Sequence, residues 1–296
     1  MRSTALLLPV LLALAIVLVV AALRPRSESA VPSGTRLAQV RRLTGRWCWG
    51  GVALGTVLAV GSVQTGGTLG RGVMLAAPLF ALGVLVGVIV GELRVAAPPR
   101  AAPPRAARSA ALEVRRVRDY LPDHLTGVVA AAASTLGLLM VATTASGSPD
   151  DLGRAGRSLV RVCSDGLITA SGPWPGSFYS LPLAAIVLGG LGATAFALQR
   201  VVGRPRQGED VLVDDMLRRD AAAAVIAASG ILIAVPLAGT SAIGGIALFG
   251  SPCPLWWTTT LGWPLVMIVP LASALAVWCV AVLAMPARIG ARHEVS

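Results

Sequence analysis

The sequence predicts an all-α fold: a polytopic transmembrane helical bundle of about seven spans, forming a single integral membrane domain over residues 1–296. Three observations predict it. Hydrophobic side chains make up 55% of the chain and charged ones only 13%, with a mean hydropathy of +0.76, which leaves too little polar surface to cover a soluble core. The apolar residues gather into runs of about 20, the helical length that crosses a hydrocarbon layer roughly 30 Å thick. All 25 basic residues are Arg, the formal net charge is +11, and the arginines stand between the apolar runs. This composition excludes a cytosolic enzyme, a disordered chain and a secreted disulfide scaffold. The same charge in a soluble protein would suggest nucleic acid; its distribution here points to the membrane instead.

The first apolar run is 5–23. Met1 and Arg2 precede it as they would a signal peptide, but Arg24 and Arg26 follow at once and resist translocation, so the run is expected to be retained as a span. Runs 47–63 and 73–91 come next, joined by a short Gly-rich turn over 64–72, and then 126–145 and 180–199. The sixth run is 221–238; Gly239, Thr240, Ser241, Gly244 and Gly245 are expected to break it, leaving 239–250 as a re-entrant or interfacial piece. The seventh is 259–284, with Pro264 and Pro270 as expected kinks. Helices are the conformer of choice because an open strand leaves its amides unpaired in lipid.

Orientation follows from the arginines, since basic loops stay cytoplasmic. Twenty of the 25 fall in 24–46, 92–125, 200–220 and the C-terminal tail, all on one side of a seven-span chain. The N-terminus is therefore expected outside and the C-terminus inside, in the plasma membrane. On that map Cys48 and Cys279 lie in spans as small hydrophobes, whereas Cys163 and Cys253 lie in the two long outer connections and are expected to form a disulfide. The outer loop 146–179 reads as carrying a helix, starting at Ser148-Pro149-Asp150-Asp151, with Leu152, Leu159, Val160 and Cys163 on one face and Gly166 closing it. Trp174, Trp256, Trp257 and Trp263 fall where an interfacial aromatic belt belongs.

The inner connection 92–125 is a Pro/Arg-rich linker followed by an amphipathic helix. Ala-Ala-Pro-Pro-Arg occurs at 96–100 and again at 101–105, a pattern that favours extended geometry. Ala110, Val114, Val117 and Leu121 then recur at helical spacing opposite Arg108, Arg115 and Arg118, with Arg116 beside them. Such a helix lies on the anionic lipids of the cytoplasmic face. In the next inner connection, Asp214–Arg218 and Asp215–Arg219 stand at i,i+4 with the acid first, the favourable order on a helix.

Small residues recur every four positions: Gly51-Gly55-Ala59, Gly83-Gly87-Gly91, Ala185-Gly189-Ala193-Ala197 and Gly230-Ala234-Ala238. This spacing lets helix backbones approach closely where lipid supplies no hydrophobic drive. Packing within the bundle is the expected use; docking of a membrane-protein partner or a second copy is the other.

The centres of the spans contain no Asp, Glu, Arg or His, which argues against ion- or proton-coupled transport. The two histidines, His124 and His293, lie near the inner face, and no HExxH, Walker A, GxGxxG or CxxC pattern occurs. No cofactor is expected and no catalytic residue stands out. One constellation could hold Mg²⁺: Asp119 and Asp123 before the fourth span, and Asp210 and Asp214 before the sixth. These paired DxxxD boxes resemble those of intramembrane prenyltransferases, which implies binding of a prenyl diphosphate; the Asn-led first box and the larger span count of that family are missing. The all-Arg, Ala/Val/Gly-rich composition and the segment 114–122 (VRRVRDYLP) resemble uncharacterised multi-span membrane proteins of high-GC actinobacteria, which implies a plasma-membrane location and no particular activity. The expected function is a non-enzymatic integral membrane protein, permease-like or a membrane-assembly subunit acting with a partner. The alternatives are a self-sufficient transporter of an uncharged or lipidic solute and the prenyltransferase-like enzyme.

Overall fold

The computed structural model describes residues 36–65, 69–96, 116–163, 165–203, 211–250 and 256–284. They form α1 (Arg36–Thr65), α2 (Arg71–Ala96), a 3-10 turn (Val117–Tyr120), α3 (Asp123–Ser146), β1 (Leu159–Val162), β2 (Ile168–Ser171), α4 (Ser177–Val202), α5 (Val211–Phe249) and α6 (Trp256–Ala284). Among the described residues six helices are long and apolar enough to cross a membrane. The predicted run 5–23 lies outside them, as do Arg108, Arg115, Asp210, Cys253 and the repeated Pro-Pro-Arg units.

The bundle is organised around α5, which packs against α2, α3, α4 and α6. Its apolar window is 78% buried, whereas that of α1, whose main partner is α2, is only 11% buried. Sequence explains the contrast. Ala222, Val225, Ala227, Ala228, Leu232, Ile233 and Ala234 surround α5 on all sides, and every one is fully buried. A helix apolar all round belongs in the middle of a bundle.

The glycines at four-residue spacing do pack α1 against α2. A Cβ on Gly51 would lie 2.7 Å from both the Gly83 carbonyl oxygen and the Gly87 Cα, and one on Gly55 or Gly83 would overlap the facing backbone. Gly91 continues the seam, where a Cβ would meet that of Trp47 at 3.2 Å, and Arg94 lies over the Trp47 ring at 5.3 Å, within cation–π range. Gly230 on α5 is equally tight, facing the Cys279 Sγ of α6 and a Val129 methyl of α3 at 3.0 Å. Gly189 departs from the expectation: it is exposed with open space around it, and its neighbour Gly190 takes the packed position against Leu232. The buried face of α4 runs through Leu183, Val187, Gly190, Thr194 and Ala197, so the larger residues set the helix rotation and turn Gly189 outward.

The expected break after 238 does not occur. α5 continues unbroken through Gly239, Thr240, Ser241, Gly244 and Gly245 to Phe249. The Thr240 hydroxyl donates to the Pro236 carbonyl at 2.7 Å, so its polar group is satisfied within the helix. Gly244 and Gly245 serve as contact points, where a Cβ would meet Leu265 and Val266 of α6 at 3.2 Å. Neighbouring helices thus make these glycines tolerable.

The expected helix in 146–179 is replaced by an antiparallel hairpin, with Leu159 opposite Ser171 and Val162 opposite Ile168. Local chemistry explains why. The Asp150 carboxylate accepts from the Leu152 and Arg154 amides at 3.1 and 2.9 Å, curling the chain back on itself. Gly153 and Gly156 then adopt φ of +73° and +70°, which ends any helical path. Gly166, at φ +80°, turns the hairpin, and Asp165 accepts from the Leu167 amide at 3.1 Å.

The expected amphipathic helix reaches the described residues only at its end, where it is a 3-10 turn stopped by extended Leu121 before Pro122. Val117, Tyr120 and Leu121 face the core, and Arg116 and Arg118 face outward. Trp174 is no belt residue: it is 5% exposed, and its indole N–H donates to the Thr143 carbonyl at 2.8 Å. Trp256 and Trp263 are exposed, as an interfacial belt requires.

Candidate functional site

Polar groups collect at the two ends of α5. At its N-terminal end the i,i+4 spacing of Asp214 and Arg218 yields a buried ion pair. The Arg218 Nη2 and Nε reach the Asp214 Oδ2 at 2.7 and 3.0 Å, and Nη1 donates to the Val202 carbonyl at 2.7 Å. Arg218 therefore caps the C-terminal carbonyls of α4 while staying paired, a cation at the negative end of a helix. Asp215 does not use Arg219, as its spacing suggested; it accepts from the Tyr120 hydroxyl at 3.3 Å, which ties the 3-10 turn to α5. The turn itself is closed by Asp119, whose carboxylate accepts from the Arg116 amide at 3.2 Å.

These placements bear on the candidate cation site. Asp214 is engaged by Arg218, Asp119 closes its own turn, Asp123 lies exposed in the first turn of α3, and Asp210 lies outside the described residues. Among the described residues no group of three or more His, Cys, Asp or Glu side chains is placed to hold a metal ion.

Toward the C-terminal end of α5 the hairpin is moored by a second polar cluster. Asp150 pairs with Arg154 at 2.7 Å and Arg157 at 2.8 Å; the Arg157 Nε donates to the Tyr179 hydroxyl, which donates to the Leu69 carbonyl at 3.0 Å. Phe178 receives the Arg71 guanidinium over its ring at 5.1 Å. One network thus links the hairpin, α4 and the α1–α2 turn. The Arg154 side chain, followed by that of Arg157, holds the Asp150 carboxyl well below the usual carboxylate range despite opposing desolvation. A depressed folded pKa means that the contribution is present at neutral pH and is lost only as pH falls through that low value. Asp150→Asn is expected to loosen the segment, so that trypsin cuts after Arg154 and Arg157 several-fold faster than in the native protein, while acidification to about pH 4 leaves the native segment intact.

Beneath the hairpin, β1 buries Leu159 and Arg161 and exposes Val160 and Val162. Leu159 joins Trp174, Ala247 and Leu248 in a small core with Trp257 and Leu265 packed on it. Arg161 enters beside it, 5% exposed, with Nη2 donating to the Ala247 carbonyl at 3.3 Å and the guanidinium 5.2 Å over the Trp257 ring. Sequence reasoning counted Arg161 only as an outer charge. The alternation in Leu-Val-Arg-Val carries a signal, but reading valines as the buried face gives the opposite orientation. Cys163, just past β1, is buried, and Cys48 and Cys279 are the free thiols among the described residues. Compared with known proteins, the chain matches no family model, no curated protein and no solved structure.

Proposed function

We propose that the chain is a non-enzymatic integral plasma-membrane protein, a permease-like or membrane-assembly subunit that acts with a partner. The observation that carries this reading is the interior of α5. From Ala222 to Leu237 it is packed with Ala, Val, Ile and Leu, and its polar residue there, Ser229, bonds back to the Ile226 carbonyl at 2.8 Å. A solute pathway or a reaction centre needs polar groups converging at mid-depth; here ion pairs gather at the helix ends.

Two further features belong to the reading. The arginine-rich connections face the cytoplasm, where Arg116 and Arg118, turned outward, meet anionic lipid headgroups. A Cys163–Cys253 disulfide ties the hairpin to the α5–α6 connection; its support is that Cys48 and Cys279 are the free thiols among the described residues and Cys163 is not one of them. Cys253 lies outside the described residues. Cys163→Ser is expected to abolish the mobility difference between reduced and non-reduced protein on a gel.

The test of the function is reconstitution. The purified chain alone in liposomes is expected to move no solute and transfer no prenyl group with Mg²⁺. Gently solubilised native membranes should release it in a complex of fixed stoichiometry, larger than its own 30.1 kDa. Solute uptake or prenyl transfer by the chain alone overturns the proposal.

A further inference from the structure

We propose that Arg161, stacked on Trp257 beneath the hairpin, is a binding site for a phosphate group, supplied by a phospholipid headgroup or by a free phosphate compound. The argument starts from the strand. β1 turns Arg161 inward and two valines outward, against the ordinary preference of these side chains. Arg161 is 5% exposed; Nη2 has the Ala247 carbonyl, but Nε and Nη1 have no hydrogen-bond partner. A guanidinium stays protonated under all physiological conditions, so a permanent charge is held here beside the apolar cluster of Leu159, Trp174, Ala247 and Leu248, against Ala247 and Trp257. Burying such a charge without an anion is costly.

The chain does not supply that anion from its hairpin segment. Asp150 is committed to Arg154 and Arg157, Asp165 caps the hairpin turn, and Asp151 is exposed in the preceding turn. Burial also pushes the Arg161 pKa down, with no carboxylate to oppose it. The planar donor fork suits phosphate, and Trp257 fixes its plane. Trp256 and Trp263, both exposed, mark the level of lipid headgroups, where phosphate is the abundant oxyanion.

Thermal unfolding of the full chain tests the site in two arms. In the first, detergent-solubilised protein is titrated with sodium phosphate against sodium chloride of equal ionic strength. In the second, protein in phosphatidylglycerol nanodiscs is compared with protein in nanodiscs of a phosphate-free galactolipid. A saturable rise in Tm of about 5 °C in the first arm identifies free phosphate as the source, and a rise confined to the second identifies the headgroup. Either rise is expected to vanish in Arg161→Gln and to weaken in Trp257→Phe. The proposal is overturned if the native protein responds in neither arm, whether or not the variants fold. An equal response in folded Arg161→Gln overturns it as well.

Discussion

An Arg218→Met variant is expected to be less stable by about 3–5 kcal/mol, a fall in Tm of about 10 °C. The side chain it loses is fully buried, and the Asp214 carboxylate left behind is 6% exposed. Three acceptors lose an Arg218 hydrogen bond at once: the Asp214 carboxylate and the Val201 and Val202 carbonyls at the end of α4. The cost comes less from the attraction removed than from keeping a carboxylate without its guanidinium in a poorly solvated site. Hence the double variant Asp214→Leu/Arg218→Met is expected to recover most of the loss, even though it discards the whole pair. Arg218→Lys should fall between them, since one ammonium cannot serve the carboxylate and the Val202 carbonyl in the fixed directions of a guanidinium. Thermal unfolding of the three variants in one detergent measures this order. If the double variant is as damaged as Arg218→Met, this account is wrong.

Gly83→Ala is expected to detach α1 from α2 at a cost of about 3 kcal/mol, large for the addition of one methyl group. At this position a Cβ would overlap the Gly55 backbone and lie 3.0 Å from the Gly51 carbonyl oxygen. Backbone cannot rotate aside as a side chain can, so the helices must separate, and their contact along Gly51, Gly55, Gly83 and Gly87 is lost together. Among the described residues α1 has little else to hold it, being mostly exposed away from α2. Gly61→Ala is the matched control: it lies on α1, a Cβ there meets nothing within 4 Å, and it should be neutral or stabilise by about 0.5–1 kcal/mol through helix propensity. Unfolding midpoints of the two variants, with protease access to α1, decide the matter. Equal behaviour would show that the close approach does not hold the pair together.

The six long apolar helices among the described residues, the α1–α2 glycine seam and the Asp214–Arg218 pair were legible because each depends on spacing along one helix, and 3.6-residue periodicity is local. The misreadings arose where the deciding interaction comes from elsewhere in the chain. Gly239, Gly244 and Gly245 read as breakers in isolation, but α6 packs on Gly244 and Gly245 and α5 stays continuous. Asp215 had a good partner four residues on, yet Tyr120, 95 residues away in sequence, takes it. The outer segment failed for another reason. Its apolar residues fit a helical face, while the Asp150 turn and two left-handed glycines, Gly153 and Gly156, outweighed that weak pattern. The orientation of Arg161 depends on the strand register, and a shift of one residue reverses which side chains face inward.

The 39 residues of α5 give a rod of about 58 Å, against a hydrocarbon layer of about 30 Å. Even at a tilt of about 20°, nearly half of it would stand outside such a layer, shared between its charged N-terminal turns and its C-terminal tip. That overhang acts as a pedestal: Ala247 and Leu248, near its tip, are where the two-stranded hairpin rests. A ribbon of two strands has open edges on both flanks, which hydrocarbon cannot tolerate and water can. The extra turns of α5 thus lift an element that needs wet surroundings clear of the oil, and removing two of them would lower it into a solvent in which it cannot survive.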